Sequence, residues 1–232
     1  MKTRATTRSH EGFTAPYRRL GRAAALAVFI LTVIYAITTM LGFLSLKSPQ
    51  DQIGDPYFSL MELLILLLVP LLIISMLAVH AYAAQAAKPY SAAALVFMIM
   101  MGVITSGLHF VILTVSRPIE AAGFASAPLL FSFKWPSVAY TLDILAWDWF
   151  FALSLLFAVP VFKDTRLERA LRYVLLASGV LSLIGLLGVP LAIMHVGYWL
   201  TVRNIGIIGY AVVSPIAFLL LALVFGRTRH MP

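Results

Sequence analysis

Among the chain's 232 residues there is no cysteine. That absence removes disulfides, thiolate metal sites, iron–sulfur clusters, cysteine nucleophiles and the covalent attachment of a c-type haem, and it leaves the redox compartment open. Charge is scarce as well: 11% of the residues are charged and 62% are hydrophobic, with a mean hydropathy of +0.97. Soluble domains run near about 45–50% apolar, so a buried soluble core is a poor account of this composition. The apolar stretches contain no lysine, which removes a retinal Schiff base of the usual kind. Also missing are a phosphate-binding Walker loop, a Gly-x-Ser-x-Gly nucleophile elbow and a His-Glu-x-x-His zinc pair.

What is present is a set of long uncharged runs. A helix needs about 20 apolar residues to cross a hydrocarbon core of roughly 30 Å. Six stretches qualify, at 23–46, 57–83, 92–115, 137–162, 173–198 and 205–225. The fold expected is therefore all-α, a polytopic six-helix membrane bundle over residues 23–226, with a basic lead at 1–22 and a tail at 227–232. The first run follows a 22-residue polar lead and has no small-residue cleavage site, so it reads as an anchor rather than a signal peptide.

Orientation follows from the basic residues. Lys2, Arg4, Arg8, Arg18, Arg19, Arg22, Lys88, Lys163, Arg166, Arg169, Arg172, Arg227 and Arg229 fall on one side of the spans, and Lys47, Arg117, Lys134 and Arg203 on the other. The positive-inside rule then places both termini in the cytoplasm, and the membrane expected is a plasma membrane of the bacterial inner-membrane type. The net charge of +8 is mostly topology. Its dispersal over short loops argues against nucleic acid and for the lipid bilayer as the partner, with the N-terminal basic residues near anionic lipid.

Polar residues inside the spans carry the functional expectation, and most lie in the extracytoplasmic half. Asp148 is near the midpoint of the fourth span, where a carboxylate costs about 2.5–3.5 kcal/mol on insertion scales and needs a partner or water. Glu62, His109 and Asp143 lie about 8–10 Å below the outer ends of their helices. His195 falls near the outer end of the fifth span, and Arg203 in the loop after it. Converging, these groups would form a polar pocket open to the outside, of the kind in which helical bundles bind small molecules. Tyr140 and Trp147 share a face with Asp143, and an aromatic face beside a carboxylate suits a cation. The expected function is a carrier or binding protein for a small, cationic solute, with Asp148 as central charge or proton acceptor and His109 as its proton partner. Asp143 and Asp148 are about 140° apart around an α-helix, so both can face one pocket only if the fourth span is central or locally unwound.

Each residue also has a plainer explanation. Glu62 sits near a helix N-terminus, Asp143 has Arg117, Lys134 or Arg203 as surface partners, and His195 with Tyr198 and Trp199 fits an interfacial belt. His80 reads as a capping residue at the cytoplasmic end. No cofactor is required. The alternatives are an enzyme or redox protein, with haem b held between His109 and His195 or zinc held by His109, Asp143, Asp148 and His195, and a non-catalytic subunit or assembly factor.

Four further features complete the reading. The apolar loop 116–136 reads as interfacial or re-entrant. Glu168 and Arg172 are spaced for a surface ion pair. Ser178, Gly179, Ser182, Gly185 and Gly188 predict close packing and an interior position for the fifth span. Finally, Pro70 and Pro190 sit in similar phrases, Leu68–Leu71 and Gly188–Leu191, as an inverted-repeat transporter hinging at those prolines would show.

Overall fold

The computed structural model describes residues 13–48 and 51–227. Those residues form six helices long and apolar enough to cross a membrane, and among them there is no strand. They are α1 (Ala15–Leu44), α2 (Tyr57–Tyr82), α3 (Gln85–Ala121), α5 (Val138–Val161), α6 (Arg166–Ile193) and α7 (Trp199–Arg227). A short α4 (Ala127–Phe131) lies in the connection between α3 and α5. The protein is a multi-pass membrane protein. Successive helices alternate in direction, so the connections at 83–84 and 162–165 share an end with the start of α1 and the finish of α7. We call this the terminal end. The connections at 45–56, 122–137 and 194–198 form the opposite, loop end.

Helix boundaries differ from the spans where local chemistry extends them. Pro16 occupies the first turn of α1, where its missing N–H costs nothing, and the helix starts eight residues before the apolar run. Arg18, Arg19 and Arg22 are thus helical, while residues 1–12 and 228–232, which hold the rest of the basic lead and most of the tail, lie outside the described residues. At the loop end α3 continues to Ala121, which shortens the 116–136 loop. Its Phe124, Leu129 and Leu130 are exposed, whereas Phe133 packs inward.

The central helix is α5. In its most apolar 18-residue stretch 61% of residues are buried, against 33% in α6 and 22% in α1. The interior position expected for α6 is therefore corrected. Its small-residue stripe does pack closely, with Ser178 and Ser182 fully buried, but Tyr173, Leu176, Val180 and Leu187 on its other side are exposed. Nor do the two prolines occupy equivalent places, as an inverted repeat would require. Pro70 lies inside an unbroken α2, whereas α6 is interrupted at Leu187 and Pro190 sits in its last short segment.

At the terminal end the bundle closes on aromatic rings. Tyr82 packs against Phe13, Phe162 and Phe225 with ring centroids 5.1–5.8 Å apart. The Tyr82 hydroxyl donates to Glu168 Oε1, while Glu168 Oε2 accepts from the backbone N–H groups of Asp164 at 2.9 Å and Thr165 at 2.7 Å. Thr165 Oγ1 in turn accepts from the Glu168 N–H, completing a capping box. Glu168 is only 2% exposed. The surface pair expected with Arg172 is corrected by this: the carboxylate turns inward because three donors meet it there. Nearby, His80 Nδ1 lies 3.0 Å from Ser91 Oγ, and Lys88 Nζ donates to the His80 carbonyl at 2.5 Å, which caps the end of α2.

Candidate functional site

Three of the six helices widen at the loop end. α3 has a π-helical turn at Ile112–Ser116, α5 at Leu145–Phe151 and α7 at Ile208–Val213. Such turns are rare, and they often mark functional sites. In α5 the wide turn spans Asp148 and rotates it relative to Asp143, so both carboxylates face inward despite their α-helical separation.

The first constellation joins α2, α3 and α5. His109 is 2% exposed and Glu62 3%. The His109 Nδ1–H donates to Glu62 Oε2 at 2.7 Å, and on the other side of the ring Nε2 lies 3.8 Å from Asp143 Oδ1. Phe133 stacks on the imidazole, with centroids 5.6 Å apart and planes at 23°. Phe133 and Phe58 also pack on Leu108, Ile112 and Ala139, and this apolar cap covers the cluster. Above it, Arg117 pairs with Asp55, donates to Ser59 Oγ at 2.9 Å and lies 5.3 Å over the Phe58 ring. The guanidinium hydrogen bond holds the Asp55 carboxyl below the usual carboxylate range.

The second constellation joins α5 to α7. Asp148 is fully buried and Arg203 is 1% exposed. Arg203 Nη1 lies 2.9 Å from Asp148 Oδ2 and donates to Oδ1 at 3.2 Å, while Nη2 donates to Tyr210 Oη at 3.3 Å. The guanidinium also lies over the rings of Tyr140 and Tyr210, at 5.4 and 5.8 Å, and Trp147 packs on Tyr210 at 5.4 Å. Two glycines make room for the pair. A Cβ on Gly206 would stand 2.5 Å from Asp148 Oδ1 and 2.8 Å from the Gly185 Cα, and one on Gly185 would stand 2.4 Å from the Gly206 Cα. A side chain at either position would push α6 away from α7, and one at Gly206 would also strike the carboxylate.

Six of the eight expected residues are therefore brought into two adjoining groups: Glu62, His109 and Asp143 in one, Asp148 and Arg203 with Tyr140 in the other. Trp147 lines the second through Tyr210. His195 stands apart. It is exposed in the 194–198 turn, with a left-handed φ of 56°. Two pairings differ from expectation. Asp148 is paired with Arg203, because helix resumes at Trp199 and carries Arg203 inside instead of leaving it in a loop. Asp143 lies 3.8 Å from His109, while Arg117 is engaged by Asp55 and Arg203 by Asp148. Gly185 was read only as part of a close-packing stripe, and Tyr210, Phe133 and Gly206 were not anticipated as site residues. Tyr210 follows Arg203 by seven residues, two turns along one helical face, and that spacing was a readable signal.

Among the described residues, no group of three or more His, Asp or Glu side chains is placed to hold a metal ion. A haem between His109 and His195 would have to draw a buried imidazole away from two carboxylates and a surface imidazole inward. No protein-family model, curated protein or solved structure matches the chain.

Proposed function

We propose that the protein is a membrane carrier or binding protein for a small solute bearing a cationic group, which it takes up near Glu62 and Asp143. The observation that supports this is the charge inventory of the two constellations. Glu62, Asp143 and Asp148 supply three carboxylates, whereas Arg203 supplies one permanent cation and His109 a titratable one. Because Arg203 neutralises Asp148, the attraction for a cation passes to Glu62 and Asp143, with Phe133 and Phe58 as aromatic cover. With the basic residues oriented by the positive-inside rule, this loop-end site faces outward across a plasma membrane.

In this reading His109 serves as the internal counter-cation. Its proton is held between Glu62 and Asp143, and an arriving cation would displace it. Binding should therefore release a proton. The test is titration of the purified protein with guanidinium and tetramethylammonium, following thermal unfolding and proton release, since a ligand bound only by the folded state raises its stability with concentration. Saturable stabilisation that is lost in Asp143→Asn is expected. Neither cation stabilising the fold, or a Soret band or stoichiometric metal that disappears in His109→Ala, would replace this reading with a scaffold or a metal- or haem-bearing protein.

A further inference from the structure

Buried polar atoms without a hydrogen-bond partner are uncommon in native proteins, and they usually mark ordered water or function. Among the described residues such side-chain atoms are His109 Nε2, Arg203 Nε and Ser182 Oγ, together with Asp148 Oδ2, which has the ion-pair contact with Arg203 Nη1 but no hydrogen bond of its own. They are not scattered. His109 meets Asp143 across 3.8 Å, Asp148 meets Arg203, and Ser182 lies one turn of α6 from Gly185, whose position abuts Asp148 Oδ1. By contrast, the buried Glu168 of the terminal end has each carboxylate oxygen bonded.

We propose that internal water joins the two constellations into one proton path, which enters at Glu62–His109–Asp143, passes Asp148–Arg203 and ends at Ser182. As a coupling route for a solute it rests on the function proposed above; as a hydrated path it stands on separate observations. The 3.8 Å gap between His109 and Asp143 is too long for a direct hydrogen bond, which leaves Nε2 to take a water as partner beside the carboxylate. The unpartnered atoms are also complementary. Arg203 Nε only donates and the Ser182 hydroxyl both donates and accepts, so one water between them would satisfy both. The passage is narrow, because the helices meet closely at Gly206 and Gly209: a Cβ on Gly209 would stand 2.8 Å from Ser182 Oγ.

The path has a definite end. One turn beyond Ser182, the Ser178 hydroxyl is satisfied by the Gly209 carbonyl at 2.8 Å. Below that lies a dry layer that includes Phe151, Leu155, Leu175, Phe218 and Leu221. The groups facing the path are Tyr35 from α1, Glu62 from α2, His109 from α3, Tyr140, Asp143 and Asp148 from α5, and Arg203 and Tyr210 from α7, with Ser182 the contribution of α6. Each water passes on one proton as it receives one, so the transfer balances without a redox partner. Protons reach Asp148 from the loop end alone.

Radiolytic hydroxyl labelling, which reports side chains beside bound water, tests this on the full chain in lipid nanodiscs without any solute. Trp147 and Tyr210 should be labelled several-fold faster than Phe151, Phe218 and Tyr82. Equal rates would overturn the path. Infrared spectroscopy after a pH step supplies the second reading: a carboxyl band that Asp148→Asn removes should respond promptly in the wild type and slowly in His109→Phe. A band indifferent to the step, or to the His109 change, would also overturn it. Slow labelling together with saturable guanidinium binding would sink the path and leave the proposed function standing. Fast labelling without cation binding would do the reverse.

Discussion

The two ends of this bundle solve the problem of a buried carboxylate in opposite ways. At the terminal end Glu168 is held by neutral donors, two backbone amides and the Tyr82 hydroxyl, all fixed by the start of α6 and a ring of aromatic side chains. At the loop end Asp148 faces a full charge, and its surroundings keep unpartnered atoms, wide helical turns and glycine contacts. The first arrangement closes a helix end. The second keeps a charge in reserve in the interior, which is a poor way to gain stability and a good way to keep chemistry available.

The sharpest way to break this contrast is Arg203→Ala. It strands Asp148, and removing one partner of a buried ion pair costs about 3–5 kcal/mol, so folded yield in detergent should collapse and Arg203→Leu with Asp148→Leu should recover much of it. An Arg203→Ala protein that unfolds at the wild-type temperature would mean that Asp148 does not depend on Arg203 to be tolerated in the interior. Glu168→Ala comes next. It leaves two amides and a phenol without an acceptor, at about 1–3 kcal/mol, and the loss should appear in thermal unfolding without any change in cation binding. A binding defect there would erase the division of labour between the ends.

Smaller effects separate packing from charge. Gly206→Ala must displace Asp148 Oδ1 or the Gly185 backbone and should cost about 1–3 kcal/mol as overpacking. Gly107→Ala meets nothing within 4 Å, and with alanine the better helix former it should be neutral or stabilising by up to about 1 kcal/mol. Comparable losses in the two unfolding curves would show that the glycines at the pair are not special. The least effect belongs to Asp55→Asn. Arg117 lowers the Asp55 carboxyl, so the stabilisation is present above the usual carboxylate range and vanishes as the pH falls through the lowered value. Wild type and variant should differ slightly at neutral pH and converge in acid; a gap that persists in strong acid would assign the difference to packing.

The hydropathy pattern made the six helices legible because a membrane demands long uninterrupted runs, and in-span polarity made Glu62, His109, Asp143 and Asp148 legible because such groups are costly. Pairing was harder to read. Arg203 looked like a loop residue because polar Thr201, Arg203 and Asn204 interrupt the apolar run, yet helix needs only backbone continuity, and the pair with Asp148 repays burial. Glu168 looked solvated because its spacing to Arg172 suits a surface pair, whereas the capping box that claims it was spelled by Thr165 three residues earlier. Wide turns have no composition of their own, so the reorientation of Asp148 past Asp143 was visible only as a condition that the sequence had to meet.

The Asp148–Arg203 pair also has a history in time. The two residues are 55 apart in the chain, and at about 5–20 residues per second the ribosome needs about 3–11 s to pass from one to the other. Until α7 is made and inserted, the deepest carboxylate of α5 is without its guanidinium partner. A chain cut short before Arg203 would carry Asp148 in its fourth span with no arginine to meet it.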